Sequence, residues 1–441
     1  MRNLSVATAV ALALGAASAA HADSCANPTY ALYVAGSSAA KPAFQTALAN
    51  DLFSSESSFS SSNGDFEAFC GPISAAGAAN TGLTAGATAT VYYRAEGGSV
   101  VGALPVVSGK PVNFLDLTGA GCNVATPPTT GTSAANGTND SWGGCVTTHG
   151  VELGVTDLEP SVFLASAGNY PTAYSTTVFG SASPAQLSTL ASTSIPLFQQ
   201  VFGIFVNTQG INGGGVGQAL NLSKETVAQI LTGHYKDWSK VPSTSGGAVS
   251  STSQAITIEN REAGSGTRTG ASLYFLGQEC TGANAIKLKD GAASLDSYAT
   301  SDVLKAAAGV AGSITYASID NNGKQPNLTL VSLSGVTPSN LNAAAGQYDY
   351  WYEATAVNGN TTGTSGGITT PGGSALASFL TGGELQNLAT APHAVDINVI
   401  PTAGTNSATV PLTSSTVGGK TIYTNPFTRG GNSCNIPVEQ N

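Results

Sequence analysis

Charge is what this chain has least of. Of 441 residues only 9% are charged, with 15 Lys and Arg against 25 Asp and Glu, a net charge of −10. No Lys/Arg run occurs, and the acidic balance argues against nucleic acid as a partner. Histidine is also scarce: beyond the N-terminal leader only His149, His234 and His393 remain. None lies in sequence near a candidate nucleophile, so spacing lends no support to a Ser-His-Asp hydrolase. No C-x-x-C or Cys/His cluster at ligand spacing is present, which disfavours a metal site, and no cofactor is expected. No G-x-S-x-G elbow appears. The stretch from Gly264 to Gly270 is one residue too long for G-x-G-x-x-G. Gly419-Lys420-Thr421 ends like a Walker motif, but Ser414 stands where its first glycine is required. There is no internal repeat of fixed period. Past the leader, no run reaches the ~18 uninterrupted apolar residues of a membrane-spanning helix.

The leader reads as a secretory signal over residues 1–22. Arg2 supplies its positive region, Val6 to Ala20 its apolar stretch, and Ala20-His21-Ala22 an A-x-A cleavage site. Ala22-Asp23-Ser24 before Cys25 is not a lipobox, so a soluble protein of the periplasm or the medium is expected. Six cysteines (Cys25, Cys70, Cys122, Cys145, Cys280 and Cys434) in an exported chain favour disulfides over free thiols. Nearness suggests Cys25–Cys70 and Cys122–Cys145, which leaves Cys280–Cys434, out of fifteen formal pairings.

Strand-like and helix-like segments alternate, which predicts an α/β fold. Helical spacing runs over Lys41 to Phe53, Ser223 to Leu231, Thr267 to Gln278 and Ser374 to Leu388. The run Val201 to Val206 reads as a buried strand and a place for the chain to cross between lobes. Gly/Ser/Thr-rich stretches (Ser54 to Gly64, Gly119 to Gly144, Ser243 to Ser253, Asn358 to Gly373, Ala403 to Gly419) read as loops. The mature chain is long for one hydrophobic core and fits two lobes of roughly 150–200 residues.

Four strand-like runs end in small polar loops of the kind that hold an oxyanion. Tyr30 to Ala35 leads into Gly36-Ser37-Ser38, and Thr90 to Tyr93 into Gly97-Gly98-Ser99. Val151 to Val155 leads into Thr156-Asp157, and Ile256 to Ile258 into the stretch from Arg261 to Thr267. Glycine lets backbone approach a ligand, and hydroxyls add donors. Three of the loops precede helix-compatible sequence, whose free N–H groups and positive dipole end suit an anion. Each feature also has a plainer reading. Glycine-serine loops are often only turns, and Asp157 suits the cap of a helix. Lys41 and Arg268 read as solvated, and Tyr348 to Tyr352 as core or hinge packing.

These segments together resemble the phosphate-binding proteins of bacterial ABC transporters. The resemblance rests on the loop order and on the Leu-Ser-x-x-x-Val-x-x-Ile-x-x-Gly…Trp pattern from Leu222 to Trp238. Arg-x-x-Gly-Ser-Gly-Thr at Arg261 to Thr267, Gly312 to Tyr316 and Tyr348 to Glu353 complete it. It implies a two-lobe type II periplasmic-binding-protein-like fold with a two-stranded hinge and Gly/Ser/Thr-rich insertions. The implied division is 23–200 for the first part of lobe 1, 201–340 for lobe 2, and 341–441 for the return to lobe 1 and the C-terminal segment. The implied site holds inorganic phosphate with Ser38, the N–H of Ala39, Ser99, Asp157, Arg261, Ser265, Gly266 and Thr267. Arg261 would make charge-assisted bonds to two oxygens, and Asp157 would accept the proton that phosphate carries near neutral pH and sulfate lacks. One departure stands out: the family's usual acidic residue is replaced by Ala263, and the acid is Glu262, one position early. The expected protein is a monomeric solute-binding protein serving an inner-membrane ABC permease. The competing expectations are a secreted phosphatase or phosphoester-binding relative using the same cleft, and a surface or matrix protein that kept the fold.

Overall fold

The computed structural model describes residues 25–61, 64–118, 145–163, 179–277, 288–289, 299–359, 367–384, 399–400, 413–417 and 420–439. The leader and the stretch from Gly119 to Gly144 lie outside them. The centre of the molecule is an 11-stranded mixed sheet. Its strands are β1 (Tyr30–Gly36), β2 (Ser57–Ser60), β3 (Phe66–Pro72), β4 (Thr88–Arg94), β5 (Leu153–Thr156) and β6 (Ile195–Asn207). They continue with β7 (Thr257–Ile258), β8 (Ser313–Ser318), β9 (Leu328–Leu330), β10 (Trp351–Asn358) and β11 (Val399–Ile400). Along the sheet the order is β7-β8-β6-β10-β5-β1-β4-β3-β2, with β9 and β11 also bonded to β6.

The alternation of β1 sets the two layers. Leu32 and Val34 face Phe44 and Leu48, while Ala35 faces the opposite cluster with Val100, Val101 and Leu104. Phe44 lies on α1 (Lys41–Ala47), which has Pro42 in its first turn and continues as one π-helical turn over Leu48–Leu52. Val100 to Leu104 lie on α2 (Ser99–Ser108), which packs against β5 through paired glycines. A Cβ on Gly102 would sit 2.3 Å from the Val155 carbonyl oxygen, and one on Gly154 would sit 1.8 Å from that of Gly102. Only glycine permits this approach, which holds the start of α2 over the end of β5.

The expected helices form. α3 (Lys224–Leu231) has Ser223 as its N-cap, with the Ser223 hydroxyl accepting from Thr226 N–H, and buries Val227, Ile230 and Leu231. α4 (Gly266–Ala271) runs into a π-helical turn, Ser272–Leu276, that ends at left-handed Gly277. α5 (Thr300–Gly309) packs beside β8, and α6 (Gly373–Ser378) covers β1. Beyond Glu384 the expected last helix lies outside the described residues. Two loop expectations fail: Ser57–Ser60 is an edge strand on β3, and Thr413–Val417 pairs with Lys420–Thr424. Their Ser- and Thr-rich composition is turn-like, and it is pairing with a neighbouring strand that makes them extended.

The run Val201 to Val206 is the middle of a longer strand. The first half of β6 pairs with β10 and its second half with β8 and β9. Cys25 is bonded to Cys70, Cα to Cα 5.8 Å, as nearness suggested. Cys145 and Cys434 are disulfide-bonded too, while Cys122 and Cys280 lie outside the described residues. No helix among those residues is long and apolar enough to cross a membrane.

Candidate anion-binding site

β4, β1 and β5 are parallel neighbours, so their C-terminal ends reach one edge of the sheet. Ligands in open α/β sheets collect at such an edge. The loop after β1 brings Ser37, Ser38 and Ala39; the loop after β4 brings Gly97, Gly98 and Ser99; β5 ends in Asp157. The loop after β7, itself parallel to β8, brings Arg261 to Thr267 against them. The Val100 N–H donates to the Gly264 carbonyl at 2.9 Å, joining the second loop to the fourth.

Asp157 is the hub on one side and is only 2% exposed. The Ser37 hydroxyl donates to its Oδ1, and the Thr267 hydroxyl reaches its Oδ2 at 3.4 Å. The Asp157 N–H donates to Ser99 Oγ at 3.0 Å. Burial pushes its carboxyl above the ordinary value, opposed by the Ser37 bond, the Arg261 charge, and the Ser99 and Thr267 hydroxyls. Arg261, 1% exposed, is the hub on the other side. Its Nη1 donates to Ser38 Oγ at 3.3 Å and to Thr300 Oγ1 at 3.0 Å.

Between the hubs sits the start of α4. A Cβ on Gly266 would lie 2.3 Å from Ser99 Oγ and 2.6 Å from Asp157 Oδ2, so a side chain is excluded there. Gly98 has φ +65, and a Cβ would approach Ser265 Cα to 3.1 Å and Arg261 Nη2 to 3.4 Å. Both glycines let backbone close on backbone, and the first N–H groups of α4 lack helical acceptors of their own. Ser265 caps α4 by accepting from Arg268 N–H at 3.3 Å. Ala39 is buried, its carbonyl held by Gln200 Nε2 at 2.7 Å.

All eight residues expected from sequence thus lie in one cluster, although Ser38 faces Arg261 and not Asp157. Two participants were missed. Ser37 carried a usable signal, since its hydroxyl also accepts from Ala40 N–H at 2.9 Å, the three-residue spacing of a helix cap. Thr300 carried none, standing in no motif. Two basic residues differ from expectation: Arg268 is buried and donates to the Arg261 carbonyl at 2.7 Å, and Lys41 pairs with Glu67 at 2.7 Å. Glu262 is buried, and Tyr348, Tyr350, Trp351 and Tyr352 are core, as expected of that aromatic run. The two described histidines are elsewhere: His149 stacks on Tyr33, centroids 3.7 Å apart, and His234 meets Tyr235 edge-on.

Residues 166–384 match the family model described as a PBP superfamily domain. The mixed sheet and its helices are those of the type II periplasmic binding fold. No curated protein matches this chain. Among solved structures it is similar to a candidate phosphate ABC transporter substrate-binding protein with bound phosphate from Clostridium perfringens. The identity is 12% over 84% of this chain and 99% of that one, with a TM-score of 0.44. It is also similar to an ABC-type phosphate transport receptor from Vibrio cholerae (14% identity, 84% and 99% coverage, TM-score 0.39). PstS from Borrelia burgdorferi is a third (12% identity, 81% and 95% coverage, TM-score 0.33).

Proposed function

We propose that this protein is an exported solute-binding protein that takes inorganic phosphate between Arg261 and Asp157 and delivers it to an ABC permease. One observation carries the reading: a buried guanidinium bonded to Ser38 and a buried carboxylate bonded to Ser37 and Thr267 meet at loops drawn from four separate segments. The guanidinium and the amides suit a dehydrated oxyanion. The carboxylate suits one that still carries a proton, and near neutral pH phosphate does and sulfate does not. Ser38, Ala39, Ser99, Ser265, Gly266 and Thr267 supply the remaining contacts. The lobes would be 23–200 with 341–441, and 201–340, closing on the ion by rotation about β6 and β10. Periplasmic or secreted placement, and a monomer, belong to the same reading.

Calorimetric titration of ligand-free protein with phosphate, sulfate and arsenate tests it. Phosphate and arsenate, which share protonation states, should bind, and sulfate should bind far more weakly. Arg261→Ala should cost about 3 kcal/mol of phosphate affinity, because it strips a buried anion of its charged partner. A wild-type protein that binds none of the three ions would end the proposal. Turnover of p-nitrophenyl phosphate, abolished by Arg261→Ala, would replace it with a phosphatase.

A further inference from the structure

We infer that Thr300, the first residue of α5, is a further oxyanion ligand that shares one donor role with Ser38; this rests on the phosphate-binding reading above. Ser38 comes from the loop after β1 and Thr300 from a helix 262 residues later in sequence. Arg261 Nη1 donates to both hydroxyl oxygens, at 3.3 and 3.0 Å, and the two oxygens are 3.0 Å apart. One hydroxyl must therefore donate to the other, whichever way round. Two hydroxyls own two hydrogens, and the contact between them consumes one. The second hydrogen has no acceptor among the described residues, although Thr300 is only 6% exposed. A buried donor without an acceptor is costly, and it lies beside the guanidinium that would hold the anion.

The setting of Thr300 favours negative charge. α5 is 10 residues long, and its N-cap is Ala299, which has no side-chain acceptor for the first-turn N–H groups. Asp302, the acid of that first turn, accepts from the Ala299 N–H at 3.2 Å, a group that precedes the helix. The positive end of α5 therefore opens on the same place as Nη1 of Arg261. Because the hydroxyl pair spans 23–200 and 201–340, it also ties the proposed closure to ligand capture.

Shared ownership of one donor has a specific consequence. Removing either hydroxyl releases the other's hydrogen, so the anion keeps a donor; removing both leaves none. Phosphate titrations of wild type, Ser38→Ala, Thr300→Val and the double variant test this, with circular dichroism confirming the fold. Each single variant should weaken phosphate by about 5-fold or less, and the double variant by about 100-fold, well beyond the product of the singles. If Thr300→Val does not fold, Thr300→Ala replaces it in the same cycle. A double variant no weaker than the product of the singles removes Thr300 from the ligand set while phosphate binding stands. A wild type that binds no phosphate overturns both readings.

Discussion

Asp157 is one carboxylate among three hydroxyls, and on the proposed reading its protonation decides which anion the site prefers. Ionised, it accepts a proton-bearing oxygen; protonated, it becomes a donor and tolerates a fully ionised one. Burial raises its pKa, so acidification neutralises it sooner than it would an exposed aspartate. The phosphate-over-sulfate preference of the wild type should therefore narrow between neutral pH and an acidic pH near the carboxylate range. Asp157→Asn should show the narrow preference already at neutral pH, with no further change on acidification. Competition titrations at both pH values check this, and a variant that still discriminates like wild type would remove Asp157 from the selection. At this scale the site was largely legible. Arg261, Ser265, Gly266 and Thr267 sit in one contiguous motif, and Asp157 closes a strand in a recurring strand-loop pattern. Thr300 was illegible because its role exists only where α5 meets Arg261, and no spacing rule links residues 39 positions apart.

Elements were legible where periodicity was strong. α3 appears almost as read, since its cap, apolar face and terminal glycine all agree. The short Ser/Thr strands were missed because pairing partners, not propensity, make them strands. Of the C-terminal segment the sequence suggested little beyond a disulfide at Cys434, yet it is clasped to the central sheet. Arg429 stacks 5.1 Å from the Trp351 ring and 4.7 Å from that of Tyr352. Glu159, just past Asp157, accepts from the Ser433 N–H at 2.9 Å and from its hydroxyl. Burial, helped by the nearby Glu353 charge, pushes the Glu159 carboxyl up to about 7 against the bonds from Ser433. A folded pKa above the unfolded value means the native state holds this proton more tightly. Its contribution to stability is complete below about 4.5 and is lost as pH rises through about 7. Relative to Glu159→Gln, wild type should lose up to about 3 kcal/mol between pH 5 and 8. Urea midpoints across that range measure it, and parallel pH profiles for the two proteins would refute the assignment.

Across the whole molecule, β6 and β10 link the half of the sheet carrying Ser38, Ser99 and Asp157 to the half carrying Arg261. An anion seated between those halves binds the folded state alone, so it must stabilise the entire chain. At 100 times its dissociation constant phosphate should add about 2.7 kcal/mol, and sulfate at equal concentration clearly less. Denaturation at matched ionic strength reads the difference; equal stabilisation by the two salts would indicate nonspecific ion effects. By itself the sequence determined the α/β class, the Cys25–Cys70 bond, the main helices and most of the residues that meet around Arg261 and Asp157. These follow from local periodicity, from nearness, and from loops whose glycines and hydroxyls have one common use. Only the tertiary structure decided that Ser37 reaches Asp157, that Thr300 joins Ser38 on Arg261, that Arg268 is buried, and that residues 427–435 clasp the centre of the sheet. Those contacts join residues far apart in the chain. Their energies depend on burial and on directions in space, and neither is written in a linear order of residues.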